Sequence, residues 1–268
     1  MVAPPPVERQ SGVTVNRSRT DRAAGDDAEV VLAVSTWLQP VPADAGPDRA
    51  AVLGRMVDLI AGLGDHRLRV AVDGLTAAGK TSLGHELARG IAGHGRQVLR
   101  ASLDDFKRPW RDRHLYDRES GEGYYRNAFD AEAARRLLLG PAAPGGDGVV
   151  ALCSIDPITQ IDHSSITTPM PTDGVLIVDG MFACRPEIND CWDLRIWVEV
   201  DEELSVRRAT KRDAGRLGSA EAAESVTRDR YLAAERIYLD EVRPLAFVEV
   251  IIDNTDFAHP VVVRPAST

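Results

Sequence analysis

One octapeptide constrains this chain more than any other feature. Gly74-Leu75-Thr76-Ala77-Ala78-Gly79-Lys80-Thr81 is a complete G-x-x-x-x-G-K-T sequence. Its glycines permit backbone geometry closed to other residues, so successive N–H groups turn inward and wrap a phosphate. Residues 68–73, Leu-Arg-Val-Ala-Val-Asp, read as a strand leading into the loop. From Lys80 onward, Leu83, Leu87 and Ile91 recur at four-residue steps, the spacing of one helix face. A glycine turn beside a surface lysine matches the same letters, but without the strand and helix flanks. In that setting the helix N-terminus adds positive potential, Lys80 reaches the outer phosphates, and the Thr81 hydroxyl is placed for Mg²⁺. Residues 74–81, with Ser82 behind them, are therefore the expected nucleotide-binding residues.

The rest of the chain alternates strand and helix. Strands are expected over 68–73, 97–102, 175–179, 194–200 and 248–252, each short and rich in Val, Ile or Leu. That composition suits strands covered on both faces. Helices are expected after Pro47, where Leu53, Met56, Val57 and Ile60 recur, and over 80–91, 130–139, 202–213 and 221–240. The implied fold class is α/β: a P-loop NTPase three-layer α/β/α domain with a five-stranded parallel core. Residues 30–38 fit either a strand or a helix start. Residues 140–148 read as a mobile loop, 149–155 as a further strand, and 156–173 as a hairpin or arm at the sheet's edge. The domain is expected over 28–260, with a lid at about 207–219 and a substrate-side arm at about 149–173. Residues 1–27 and 261–268 read as tails, the first because its unpatterned Pro, Arg, Asp and Ser content buries too little apolar surface.

Composition narrows the partners. Forty-one acidic against 32 basic residues give a formal charge of −9, which disfavours a protein that coats nucleic acid or an anionic membrane. No apolar run reaches membrane-span length, and residues 1–10 lack a signal peptide's hydrophobic stretch. Cys153, Cys184 and Cys191 are odd in number and lack C-x-x-C spacing, so they read as reduced thiols of a cytoplasmic protein. The oligomeric state stays open, a homo-oligomer included.

Two further groups of residues bear on chemistry. Asp179 ends the apolar run Val175-Leu176-Ile177-Val178 at the edge where open α/β sheets bind ligands, as a Mg²⁺ carboxylate or as a turn cap before Gly180. Asp104 and Asp105, followed by Phe106, end the 97–102 strand. Asp104 is the candidate to accept a proton from an acceptor hydroxyl, with capping of the next segment as the alternative for both carboxylates. Arg207, Arg208, Lys211, Arg212 and Arg216 crowd the end of a helix in an otherwise acidic chain. They suit a lid over nucleotide phosphates or a solvated helix end. Residues 107–126 read as a substrate-side loop in which Tyr124, Tyr125 and Arg126 contact substrate or pack the loop. His114 and His163 have no partner at metal-ligand spacing.

Together these segments resemble the uridine kinase family, within the phosphoribulokinase/uridine kinase group of P-loop kinases. The resemblance spans about residues 68–260. It rests on the loop 74–81, Ser102-Leu103-Asp104-Asp105-Phe106, Gly123-Tyr124-Tyr125-Arg126-Asn127-Ala128-Phe129-Asp130, Val178-Asp179-Gly180-Met181-Phe182, Arg207-Arg208-Ala209-Thr210-Lys211-Arg212-Asp213 and Ile251-Ile252-Asp253-Asn254-Thr255-Asp256. It implies ATP and Mg²⁺ as cofactors, with Asp104, Lys80, Arg208 and Arg212 as catalytic residues and Thr81 and Asp179 on the metal. It also implies an adenine site near Asn254 and Asp256, and acceptor contacts from Asp105, Phe106, Tyr124, Tyr125, Arg126 and Gln160. The implied reaction moves the γ-phosphate of ATP to the 5′-hydroxyl of uridine, cytidine or a related nucleoside, a step of pyrimidine salvage. The chain departs from the family at Asp179, where Glu is usual, at Lys107, where Tyr is common, and at Ile155 and Gln160, which replace the pyrimidine-reading Tyr and His. Two alternatives follow: a kinase of another small alcohol, such as pantothenate, a nicotinamide riboside-like nucleoside or an antibiotic precursor, and a nucleotide-binding regulator without turnover.

Overall fold

Runs of Val, Ile and Leu become buried strands here because helices cover both of their faces. A computed structural model describes residues 20–21, 29–37, 40–264 and 266 of the chain. In chain order its strands are β1 (Thr20–Asp21), β2 (Val30–Leu32), β3 (Leu68–Gly74), β4 (Val98–Ser102), β5 (Val149–Ala151), β6 (Thr167–Pro169), β7 (Val175–Asp179), β8 (Leu194–Glu199), β9 (Val250–Asp253) and β10 (Val261–Arg264). The helices are α1 (Pro47–Ala61), α2 (Lys80–Ala92), α3 (Gly121–Asn127), α4 (Ala131–Ala134), α5 (Glu202–Leu217), α6 (Ala220–Val226) and α7 (Ala233–Val242). A π-helical stretch, Thr227–Leu232, joins α6 to α7, and another, Arg135–Leu139, extends α4.

The main sheet runs β1-β2-β4-β7-β3-β8-β9-β10, parallel from β2 to β9 and antiparallel at both edges. One face carries α1, α2 and α7 over Val70, Val72, Ile177 and Ile196; the other carries α4 and its extension over Leu99, Leu176 and Val178. This is the expected three-layer arrangement. All five expected strands are present, and β2 adds another parallel strand to the core, settling the open reading of residues 30–38.

The ends differ from expectation. Residues 261–268 read as a tail in the sequence, yet β10 pairs antiparallel with β9, Val261 opposite Asp253 and Val262 opposite Ile252. Three consecutive valines favour an extended backbone, and an open sheet edge supplies the partner. The tail expected over 1–27 lies outside the described residues except at Thr20–Asp21, which pairs with Val31 and Val30. The arm contains a separate antiparallel ribbon of β5 and β6.

Register then places the chemistry. Ser102 of β4 lies opposite Asp179 of β7, and Asp179 lies opposite Val72 of β3. The Asp104 turn, Asp179 and the phosphate loop therefore leave the sheet side by side at its carboxyl edge.

Candidate active site

The loop after β3 is held from several sides. Gly74 and Gly79 have φ of 145° and 104°, the left-handed side of backbone space. A Cβ on Gly74 would run into the Val198 carbonyl oxygen, and one on Gly79 would meet Asn254 Nδ2 at 2.5 Å. Beneath the loop, Asp73 accepts from the Gly74 N–H (2.7 Å) and from the Tyr238 hydroxyl (2.6 Å). Glu235 of α7 accepts from the Thr76 N–H at 2.5 Å, and Ser205 of α5 donates to the Thr76 carbonyl at 2.7 Å. Asn254 Nδ2 donates to the Ala78 carbonyl (2.7 Å), while its Oδ1 accepts from Arg49, itself paired with Glu86 in a buried ion pair.

Burial sets the electrostatics. It pushes the Glu235 carboxyl up to about 8 and raises Asp73 as well, although Lys80 pulls both down. Lys80 is lowered by the same burial, against the opposing pull of Glu235, Asp73, Asp179 and Asp104. Its Nζ folds back on the Gly74 and Leu75 carbonyls at 3.0 and 2.7 Å.

Thr81 Oγ1 donates to Asp179 Oδ2 at 2.5 Å, and Arg100 Nη2 holds the other carboxylate oxygen at 2.7 Å. Arg100 fits because position 84 of α2 is glycine: a Cβ there would lie 2.8 Å from the guanidinium. A hydroxyl and a carboxylate beside a phosphate loop are the hard oxygen donors that suit Mg²⁺, which usually takes one or two carboxylates together with substrate phosphates. Among the described residues no cluster of three or more His, Cys, Asp or Glu side chains forms a metal cage. A shared site with nucleotide phosphates matches this donor set.

Asp104 sits on a short turn, Leu103–Asp105, capped by Ser102 Oγ. Lys107 Nζ lies 2.5 Å from its Oδ1 and also donates to Tyr124 Oη at 2.8 Å. Burial alone would raise the Asp104 carboxyl, but Lys107, Lys80 and Arg212 together hold it below the ordinary aspartate value. It is therefore a carboxylate at neutral pH.

These residues share a cleft of about 660 Å³, within the roughly 300–1,000 Å³ common for small-molecule sites. Thr76, Ala77, Gly79, Lys80, Thr81, Ser82 and Asp179 form one wall, and Asp104, Lys107, Arg113 and Tyr124 another. Arg208, Arg212 and Arg216 reach in from α5, Arg230 and Tyr231 from the α6–α7 junction, and Trp37, Trp110 and Ile158 close the rim. Seven cationic side chains and two carboxylates line it.

Several sequence expectations fail on this geometry. Asp105 turns into the protein, 2% exposed, and accepts from Ser35 Oγ at 2.6 Å. Phe106 is fully buried in the core. Tyr125 packs edge-on against Phe182 instead of facing the cleft. Both tyrosines sit on α3, where the sequence reads as a loop; the Ser120 cap and the close approach of Gly121 to Ala233 make a helix of a weak helix sequence. Arg126 is tied at the surface to Glu122 and Glu241. Gln160 Oε1 accepts from the Trp110 N–H at 2.8 Å, and its Nε2 donates to the Asp156 and Pro157 carbonyls. It staples the arm and does not line the cleft.

Asn254 lies off the cleft as a prop under the loop, and Asp256 binds His259 and the Ala258 N–H at the surface. Leu75 and Ala78 are buried and belong to the loop through their backbone. Arg208 lines the cleft, but its guanidinium is spent on the Asn254 and Thr255 carbonyls. Arg212 lines it while paired with Asp213, and Lys211 is exposed. Arg100, Arg113, Arg230 and Glu235 escape a sequence reading, since nothing in their neighbours separates them from surface charges.

No family model matches the chain. A uridine kinase from Halobacterium salinarum is 26% identical over 195 residues, covering 71% of this chain and 79% of that protein. The solved structure of a possible uridine kinase from Bacillus stearothermophilus superposes with a TM-score of 0.58 at 20% identity, over 76% of this chain and 97% of that one. A D-glycerate 3-kinase from Cryptococcus neoformans superposes with a TM-score of 0.55 at 10% identity, over 79% and 99%. The two structures speak for the fold. The activity class comes from the curated relative, a kinase and so a phosphotransferase with an alcohol group as acceptor, and the fold agrees with it. Within that class the chain is similar to proteins named uridine kinase.

Proposed function

We propose that the chain is an ATP- and Mg²⁺-dependent kinase that transfers the γ-phosphate to a hydroxyl of a small acceptor, with the 5′-hydroxyl of uridine or cytidine as the acceptor the family resemblance implies. The observation that carries this reading is the convergence of Lys80, the Thr81–Asp179 pair and an ionised Asp104 on one cleft. The 74–79 backbone and Lys80 bind the phosphates. Thr81 and Asp179 would hold Mg²⁺, which supplies charge neutralisation on the transferring group. Asp104 orients the acceptor hydroxyl and takes its proton as the new P–O bond forms and the bond to the β-phosphate oxygen breaks. Arg212 is placed to offset charge that develops in transfer. Water-shielding aromatic side chains, Trp37, Trp110 and Tyr231, stand at the rim.

An acceptor other than a pyrimidine nucleoside is favoured by one specific observation: the Gln160 amide, the residue placed to read a pyrimidine edge, is committed to the Trp110 N–H and two carbonyls. A nucleotide-binding regulator has less support, because a switch has no need of an ionised carboxylate facing the phosphate lysine. Coupled ADP release with Mg·ATP against uridine, cytidine, pantothenate and small sugars tests the reading. The expected result is a phosphorylated alcohol; ATP hydrolysis without one in any reaction would count against transfer.

A further inference from the structure

Two arginines that line the cleft keep buried N–H groups without partners. Arg113 is 7% exposed. Its Nε donates to the Arg108 carbonyl at 2.6 Å, its Nη2 is buried without a hydrogen-bond partner, and it makes no ion pair among the described residues. Arg230 approaches from the α6–α7 junction with its guanidinium carbon 5.0 Å from the Tyr124 ring centroid. Its Nη1 reaches Glu119, a largely exposed carboxylate, at 3.2 Å, and its Nε is buried without a partner.

Desolvation lowers the Arg113 pKa, Tyr124 opposes that shift, and the neighbouring Arg230 charge lowers it again, so the two cations repel one another. The carboxylate nearest this charge, Asp104, is already matched by Lys107. Native proteins fill nearly all buried donors, and a guanidinium that lines a cleft offers the planar fork suited to carboxylate or phosphate recognition. The nucleotide phosphates do not answer for this charge, since they belong to the 74–81 loop and Lys80.

We propose that Arg113 and Arg230 form an anchor for an anionic group, a carboxylate or a phosphate, carried by the acceptor alcohol. The anchor itself stands on the geometry; assigning its ligand to the acceptor rests on the kinase reading above. A neutral nucleoside would leave Arg113 without a counter-charge and Arg230 with the exposed Glu119 alone. An acceptor with an anionic end fills the fork and directs its hydroxyl toward Asp104.

The test is calorimetric titration of the full chain, its nucleotide site saturated with Mg²⁺ and the non-hydrolysable analogue AMPPNP, with inorganic phosphate and separately with acetate. Saturable binding of at least one anion is expected, and the responding anion tells phosphate from carboxylate recognition. Arg113→Met is expected to weaken it at least tenfold while AMPPNP affinity stays within about twofold. Arg230→Gln, at a less buried position, reads the same loss should Arg113→Met fail to fold. No saturable binding to the unaltered protein, or affinities within twofold in both variants, would overturn the anchor. If anion binding and its loss hold while no alcohol is phosphorylated, the anchor stands and the transfer reading falls; with phosphorylated uridine and no anion binding, transfer stands and the anchor falls.

Discussion

The two walls of the cleft are built to different standards. On the nucleotide side, Asp73, Thr76, Ala78 and Asp179 each have designated partners, contributed by α5, α7, β4 and the segment after β9. On the acceptor side, Arg113 and Arg230 end in buried, unpartnered N–H groups. A phosphate cradle whose loop groups are braced before a ligand arrives costs little reorganisation when the ligand binds, although Arg100 Nε and Glu235 Oε2 behind it are also buried without partners. The side with unmatched charge is where selectivity resides, because a site built around a polar group rejects ligands that leave it unpaired.

Substitutions can break this contrast or sharpen it. The largest effect is expected from Asp104→Asn, which keeps the turn and removes the proposed proton acceptor. The rate of transfer should fall about 100- to 10,000-fold, the usual span for a general base, with the KM for ATP little changed in steady-state kinetics. Next comes Asp179→Asn. Arg100 and Asp179 are both 4% exposed, and breaking a buried pair on one side costs about 3–5 kcal/mol. Denaturant unfolding should show that loss, together with a raised Mg²⁺ requirement.

A smaller effect sharpens the nucleotide side. The Glu235 carboxyl is raised from 4.5 to about 8 by burial, so the folded chain holds a proton that the unfolded chain releases. Its contribution to stability is complete below about pH 4.5 and is lost as pH rises toward 8. Glu235→Gln keeps an acceptor for the Thr76 N–H and should flatten the decline in thermal midpoint across that window. The smallest effect is expected from Arg126→Ala, which removes surface ion pairs worth little in water. Its kinetic constants should stay within about twofold of the unaltered protein.

What is legible in the sequence follows the range of the forces involved. The phosphate loop and the buried parallel strands announce themselves because their signals are local: glycine geometry, a strand's apolar run, a helix face repeating every fourth residue. Asp104 and Asp179 are legible as residues that end such runs, and register brings them together. The acceptor side is not. Tyr124 and Tyr125 are adjacent in sequence and both pack in the core, yet of the two Tyr124 alone also lines the cleft. Gln160 reads as a substrate contact because it is polar and sits on an arm, and a positive φ of 60° with three hydrogen bonds makes it a loop staple instead. Arg113 and Arg230 come from segments more than a hundred residues apart, and only tertiary packing brings them to one cleft.

The most direct test of phosphoryl transfer at this cleft follows the label of γ-labelled ATP in the unaltered protein and in Asp104→Asn, with uridine, glycerol, D-glycerate and sn-glycerol 3-phosphate offered in parallel. The account predicts label in an acid-stable phosphomonoester of at least one alcohol, an anionic one ahead of its neutral counterpart, with the Asp104→Asn rate lower by two orders of magnitude or more. Label found only in inorganic phosphate, or transfer at equal rates in the two proteins, would contradict it.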